Sequence, residues 1–379
     1  MLNKGFHMKK VAVLGGLGKM GRGIALLLLE MLSFENEPFE LHLIDPNQKA
    51  RDEVRNYLAE SLKRFSEKRI VELRKLYAHS PLISNVEIID TFLKEKLAYV
   101  FFHQFVEEAN DCDWIFEAAL ETLDFKVDLL KRTPKKALIF TNTSSIPIHL
   151  LEEKAGLKDR IIGFHFYNPP PLQPLMEIIA IKEGPLKELS LDLARKMKKT
   201  IVFSNDVAGF IGNGHFLREV DLAFQLAKKE GFEKVELATK KLLMRPMGIF
   251  ELMDFVGYQV VYNIAEVMKT YGPYKGDLTQ LKQWIDQKTK PDIKPIESDW
   301  KTLAKSPDKE KIIKERIQQL QNDNSKEAEL AIRFLEQSAH FMEELVDLKI
   351  ANNIKDVAEV LKLGFHHLYA PNEVLYAIR

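Results

Sequence analysis

One cysteine in 379 residues, Cys112, leaves no partner for an intramolecular disulfide and no cysteine cluster for a metal. That usage fits a reducing compartment. Charge of either sign is not in excess. Lys and Arg total 55, Asp and Glu total 55, and the formal net charge is zero. A protein held to nucleic acid by bulk charge would carry a basic surplus, so no nucleic-acid partner is expected. Long apolar runs are missing too. The greasiest stretch, residues 24–29, stops at Glu30, far short of the roughly 20 residues that span a bilayer. Residues 1–8 lack the apolar segment of a secretory signal, and Ala377-Ile378-Arg379 is no retention or peroxisomal signal. A soluble, cytoplasmic protein with no membrane partner is the expectation. No HExxH or comparable ligand spacing occurs among the ten histidines, and no metal is expected.

What is present is an ordinary globular composition, 46% apolar and 29% charged, and a length for two or three domains at roughly 150 residues each. The amino-terminal half alternates short apolar runs with helical stretches. Val11-Ala12-Val13-Leu14, Leu41-His42-Leu43-Ile44, Trp114-Ile115-Phe116, Leu138-Ile139-Phe140-Thr141 and Ile161-Ile162-Gly163-Phe164 read as strands. Helices are expected over residues 20–32 and 47–77. Continuous apolar runs separated by helices indicate a parallel sheet covered on both faces. Past residue 205 the spacing becomes helical, over 216–229, 235–243 and 327–363. Residues 272–325, rich in Lys, Asp, Gln and Pro, read as connector and solvated helices. The expected fold is a doubly wound α/β domain over 1–205, an all-α domain over 206–271 and a helical extension over 272–379.

Gly16-Leu17-Gly18-Lys19-Met20-Gly21 is a GxGxxG motif. Alone it says little, but here a strand precedes it, a helix follows, and Asp45 ends the next strand. A side chain at Gly16 or Gly18 would keep a pyrophosphate away from the helix N-terminus, where free backbone N–H groups attract an anion. Gly21 lets the helix pack closely on the sheet. Asp45 lies 24 residues beyond Gly21, near the interval of about 20 at which a carboxylate meets the adenosine ribose. Pro46 and Asn47 follow it, with no adjacent cation for a 2′-phosphate, so NAD is expected over NADP. The plainer reading of Asp45 is a helix cap.

Polar groups gather where a doubly wound sheet presents the carboxyl ends of its strands: Asn142-Thr143-Ser144-Ser145, His165 with Asn168-Pro169, and Asn213. Glu177 stands twelve residues past His165. Oxidising a secondary alcohol needs a base for the hydroxyl proton, and histidine suits neutral pH. A carboxylate on its other nitrogen would orient the ring, and neutral donors would hold the substrate oxygen. On position alone, a histidine at a strand end is more often structural.

Taken together, these stretches resemble the NAD-dependent 3-hydroxyacyl-CoA dehydrogenase family, short-chain 3-hydroxybutyryl-CoA dehydrogenases included. The matching segments are residues 13–25, Phe116-Glu117-Ala118 through Glu121, 141–145, His165-Phe166-Tyr167-Asn168-Pro169 through Glu177, and Ala208-Gly209-Phe210-Ile211 through Asn213, in family order over residues 9–257. The resemblance implies a Rossmann-type domain and oxidation of (S)-3-hydroxyacyl-CoA. It implies a catalytic His165–Glu177 pair and contacts from Ser144 and Asn213 to the substrate's 3-oxygen. It places Gly16, Gly18, Lys19, Met20, Gly21, Asp45, Glu121, Lys126, Asn142 and Ser144 at NAD, and Ser61, Lys68 and Asn168 at coenzyme A. Departures are Gly15 ahead of the usual first glycine, Gly214 where Arg is common, Ile249 where Pro is common, and Gln173-Pro174. An NAD-dependent dehydrogenase of a non-CoA hydroxy acid and an idle acyl-CoA- or NAD-binding partner subunit are the alternatives.

Residues 353–375 echo 231–253 at an offset of 122, through Val235 and Val357, Lys240 and Lys362, and Glu251 and Glu373. This is either coincidence or a worn second copy of the helical domain. A copy would resemble the duplicated domain of multifunctional β-oxidation enzymes, implying a chain stable as a monomer rather than a homodimer and contact with other β-oxidation enzymes.

Overall fold

The computed structural model describes residues 8–35 and 37–376. The terminal segments read for targeting signals lie largely outside these residues. The chain divides into two compact units. One holds residues up to Thr143 plus Ile148–Ile201, and the other Ser144–Pro147 plus residues from Val202 on.

The first unit is built on β1 (Lys9–Leu14), β2 (Phe39–Ile44), β3 (Val100–His103), β4 (Trp114–Glu117), β5 (Leu138–Thr141), β6 (Ile161–Phe166) and β7 (Leu175–Ile179), with β8 (Thr200–Ser204) crossing the unit boundary. The sheet runs β3-β2-β1-β4-β5-β6-β7-β8. All five expected strands form. Their continuous apolar runs are buried on both faces, and Val11, Ile115 and Ile139 are completely buried. Across β4, β5 and β6, Phe116 and Phe140 stack and Phe164 meets both edge-on, with ring centroids 4.8–5.9 Å apart. Such aromatic packing fixes strand spacing beyond its area burial.

Two features depart from the sequence reading. The sheet is not wholly parallel, because β7 pairs with β6 antiparallel. The charged helical region also breaks at Arg69, giving helices Arg51–Lys68 and Ile70–Leu76.

The second unit is helical, as expected. Phe216, Phe250 and Val261 share one core with Leu281, Trp284, Ile317, Phe334 and Tyr369. Residues 272–325 are therefore more than solvated connector. Trp284 alone lies 5.1–6.2 Å from the rings of Phe224, Phe232, Tyr258 and Phe250. Gly214 packs under this extension. A side chain there would press on Leu345, 3.1 Å away, which accounts for glycine at a position where the family commonly has arginine.

The offset of 122 recurs in the backbone. Helix Phe232–Leu237, the π-turn Ala238–Leu242 and helix Ile249–Val256 start 122 positions before Ile354–Glu359, the π-turn Val360–Gly364 and Pro371–Tyr376. Met244 and His366, at the same offset, both take left-handed φ, 52° and 57°. Lys240–Glu251 and Lys362–Glu373 form ion pairs of 2.7 Å each. The helices ahead of these segments, Phe210–Glu230 and Lys326–Asp347, do not keep the offset.

Candidate active site

β1 ends in the glycine loop, and each glycine answers a separate constraint. Gly15 sits at φ +73°, and a Cβ there would lie 2.6 Å from the Ala118 carbonyl oxygen, so the additional glycine lets the loop pass against β4. A Cβ on Gly16 would meet the Val13 oxygen at 2.9 Å, and one on Gly21 would overlap the Gly15 carbonyl. Gly18 is the N-cap of helix Lys19–Leu32. It is exposed, as is Lys19, while Met20 is half-buried. No acidic residue occupies the helix's first turn, which suits an anion at its N–H groups.

Asp45 closes β2 and braces this loop. Its carboxylate accepts the Leu17 N–H at 3.3 Å and the Asn47 N–H at 2.9 Å. A cleft of about 490 Å³ opens here, lined by Gly15, Gly18, Asp45, Ala118, Phe105 and Phe125 among others. Apolar walls, a carboxylate at one end and a glycine-lined helix N-terminus match the adenosine and pyrophosphate of a dinucleotide. Replacing Asp45 with Ala is expected to raise the NADP to NAD ratio of kcat/KM by about tenfold, the worth of one charged hydrogen bond and its repulsion of phosphate. Steady-state kinetics with both cofactors read this directly, and an unchanged ratio would remove Asp45 from cofactor selection.

At the end of β4, Glu117 and Lys126 are almost wholly buried. Lys126 Nζ lies 2.5 Å from Glu117 and 3.2 Å from Glu121. Burial works against the ammonium, but the two carboxylates outweigh it and hold Lys126 above the ordinary lysine range. Thr141 and Thr143 donate to Glu117 and Glu121 at 2.6 Å each. The Lys126 side chain is thus enclosed in the protein. Sequence reasoning chose Lys126 and Glu121 but passed over Glu117, because only the fold turns it inward.

The β6–β7 ladder places His165 directly opposite Glu177. His165 Nδ1 and Glu177 Oε2 are 2.9 Å apart. Glu177 is fully buried and His165 is 9% exposed. A carboxylate only accepts, so Nδ1 carries the proton of the neutral ring and Nε2 carries the lone pair. Asn142, after β5, accepts the Phe166 N–H at 2.8 Å and so fixes the end of β6 beside His165. Tyr167, which the sequence did not single out, packs against His165 at a tilt, with ring centroids 4.9 Å apart. Burial, reinforced by Glu177, pushes its phenol well above the ordinary range.

In the second unit, Asn213 donates from Nδ2 to the Ser144 carbonyl at 2.8 Å. Gly209, at φ +87°, starts helix Phe210–Glu230, and its N–H donates to the Ser145 carbonyl at 3.0 Å. Residues 144 and 213 are therefore brought together. The residues expected at coenzyme A lie in the first unit. Ser61 is buried, with Arg64 3.3 Å from its hydroxyl. Lys68 is exposed in the last turn of the same helix, and Asn168 is exposed after β6.

Comparison with known proteins shows the family. Residues 10–207 match the model of the 3-hydroxyacyl-CoA dehydrogenase NAD binding domain, and residues 209–291 that of the 3-hydroxyacyl-CoA dehydrogenase C-terminal domain. A probable 3-hydroxybutyryl-CoA dehydrogenase of Bacillus subtilis is 29% identical over 68% of this chain and 85% of its own length. A probable 3-hydroxyacyl-CoA dehydrogenase of Caenorhabditis elegans is 30% identical over 64% of this chain and 75% of its own. A putative fatty acid oxidation complex trifunctional enzyme of Rickettsia prowazekii is 24% identical over 97% of this chain, which spans 53% of that protein. The crystal structure of 3-hydroxybutyryl-CoA dehydrogenase from Escherichia coli shares the fold, with a TM-score of 0.65 and 18% identity over 98% of this chain and 92% of its own. Among the described residues, no helix is long and apolar enough to cross a membrane.

Proposed function

The chain belongs to the 3-hydroxyacyl-CoA dehydrogenase family, and on that premise we propose that it oxidises (S)-3-hydroxyacyl-CoA to 3-oxoacyl-CoA with NAD through His165 and Glu177. The observation that carries this reading is the direct opposition of the two side chains across β6 and β7, at 2.9 Å. Glu177 accepts the Nδ1 proton and so directs the Nε2 lone pair to the 3-hydroxyl proton. The imidazolium that forms is stabilised by the same buried carboxylate. Bound at the glycine loop and Asp45, NAD would supply the acceptor for the hydride from C3.

The remaining roles rest on the family resemblance. Ser144 and Asn213 are assigned to the 3-oxygen, and Ser61, Lys68 and Asn168 to coenzyme A. The exposed Lys68 ammonium suits a phosphate. We place the activity in fatty-acid β-oxidation or short-chain acyl-CoA metabolism, and in the cytoplasm, where a single buried cysteine is stable. The one core shared across residues 208–374 supports a chain that is stable as a monomer and whose extension is a second copy of the helical domain.

NADH oxidation with acetoacetyl-CoA, repeated with free acetoacetate, tests the substrate class. Turnover with the thioester alone is expected. Turnover with the free acid alone would move the protein to a hydroxy-acid substrate.

A further inference from the structure

The loop between β6 and β7, residues 167–174, is short of hydrogen-bond donors. Four of its eight residues are proline, which offers a carbonyl but no N–H. Leu172 and Gln173 donate their N–H groups to the Pro169 carbonyl at 3.0 Å each, and the Thr200 N–H donates to that of Pro174 at 2.7 Å. The Pro170 and Gln173 carbonyls are met by a side chain. Lys199 Nζ donates to the first at 2.5 Å and to the second at 2.7 Å. The same ammonium stands 6.0 Å from the ring centroid of Phe166, the residue after His165. Gln173-Pro174, where the sequence departs from the family pattern, lies in this clamped stretch.

The loop bears directly on the His165–Glu177 pair. His165 faces Glu177 one step from the end of the β6–β7 ladder, where Phe166 faces Met176. A shift of the loop therefore reaches that pair almost at once. The loop is also seated on helix Lys19–Leu32, since a Cβ on Gly23 would lie 2.9 Å from Pro170 Cδ. Glu30 is seven residues on, along the same face of that helix. Burial lowers the Lys199 ammonium to about 8, and Glu30 acts the other way. Burial raises the Glu30 carboxyl to about 7, opposed by Lys199 and then by Arg69, Lys198 and Lys68.

We propose that Lys199 is a positioning residue that keeps Glu177 opposite His165 by tying the Pro170 and Gln173 carbonyls to the start of β8. It acts through the hairpin and not at the reacting atoms. Hydrogen bonds from an ammonium hold such a geometry more firmly than neutral ones, and a misplacement of about 1 Å can cost about 10²-fold in rate. The inference rests on the reaction proposed for His165 and Glu177.

Lys199→Met keeps the apolar stem and removes the donors. Its kcat for (S)-3-hydroxybutyryl-CoA and NAD is expected to fall about ten- to a hundredfold. Lys199→Arg keeps a cation with N–H donors and is expected to stay within about threefold of wild type. Nitrogen NMR of the His165 ring, assigned by its loss in His165→Gln, reads the pair without substrate. At a pH where the ring is neutral, wild type and K199R should hold the proton at Nδ1, and K199M should show a mixture of tautomers. The pH profile separates a charged clamp from a merely structural one. Lys199 loses its charge as pH rises past about 8, so wild-type kcat should fall there by about threefold relative to K199R, which stays charged. A folded K199M protein with the wild-type kcat or ring tautomer, a K199R protein as impaired as K199M, or profiles that coincide above pH 8 would overturn the proposal. If circular dichroism shows K199M unfolded, the comparison of wild type with K199R decides alone. Wild-type protein that does not turn over the thioester would overturn the reaction instead, and the ring tautomers would still decide the role of Lys199.

Discussion

A His165→Gln protein is expected to fold normally and lose about 10²- to 10⁴-fold in turnover, the usual worth of a positioned general base. Glutamine is close to histidine in size and can still reach Glu177, so the β6–β7 hairpin has no cause to open. What it lacks is a lone pair basic enough to take an alcohol proton near neutral pH. KM for the acyl-CoA should change little, because the loss falls on the transition state rather than on binding. Glu177→Gln should act in the same direction, since a neutral amide neither directs the ring nor stabilises imidazolium. The measurement is steady-state kcat and KM alongside thermal melting. A loss below tenfold with an intact fold would assign the proton to another residue.

The second large effect concerns the helical unit. Arg245 grips Glu219 through both terminal guanidinium nitrogens, at 2.8 and 2.7 Å. Ser338, from the extension, donates to the same carboxylate at 2.5 Å. All three side chains are buried. Burial works against the Glu219 carboxylate, but Arg245 outweighs it and holds the group at about 2. Replacing Arg245 with Met strands this charge and is expected to cost about 3–5 kcal/mol, the range for removing one partner of a buried ion pair. A carboxyl so depressed contributes stability that is present above its unfolded value near 4.5 and is lost as pH falls toward 2. Denaturant midpoints should therefore drop steeply in that window for wild type and less steeply for R245M. Equal acid sensitivity in the two proteins would contradict the role given to the pair.

Much of the first unit is legible in the sequence because its strands are buried on both faces. Val11 to Leu14 and Leu138 to Phe140 are apolar without interruption, and Gly15 and Asn142 follow the two strands. β3, β7 and β8 are harder to see for physical reasons. β3 is a half-exposed edge strand of four residues. β7 follows a proline-rich turn, and its reversed direction carries no sequence signal. That reversal turns a spacing of twelve residues into a hydrogen bond between His165 and Glu177. The pairing was accessible only through the family resemblance, since no periodicity places the two side chains opposite each other.

The same distinction holds around the cofactor cleft. The glycine loop and Asp45 announce themselves by spacing, because backbone geometry restricts them. Glu117 does not, since a glutamate ending an apolar strand looks like any strand terminus until Lys126 and Thr141 are folded around it. In the helical unit, Trp284 and Leu303 sit among so many charged neighbours that residues 272–325 read as solvated. Only the fold joins them to the core, Trp284 through Phe224 and Phe250 and Leu303 as a member of the same cluster.

Transfer of label from (S)-3-hydroxybutyryl-CoA deuterated at C3 to NAD is the most direct measurement of the proposed reaction. Mass analysis of the NADH formed should show it heavier by the label, with acetoacetyl-CoA produced in equal amount and the (R) enantiomer inert. NADH formed without label, or no NADH from this thioester at any pH where the protein stays folded, would contradict hydride transfer from C3.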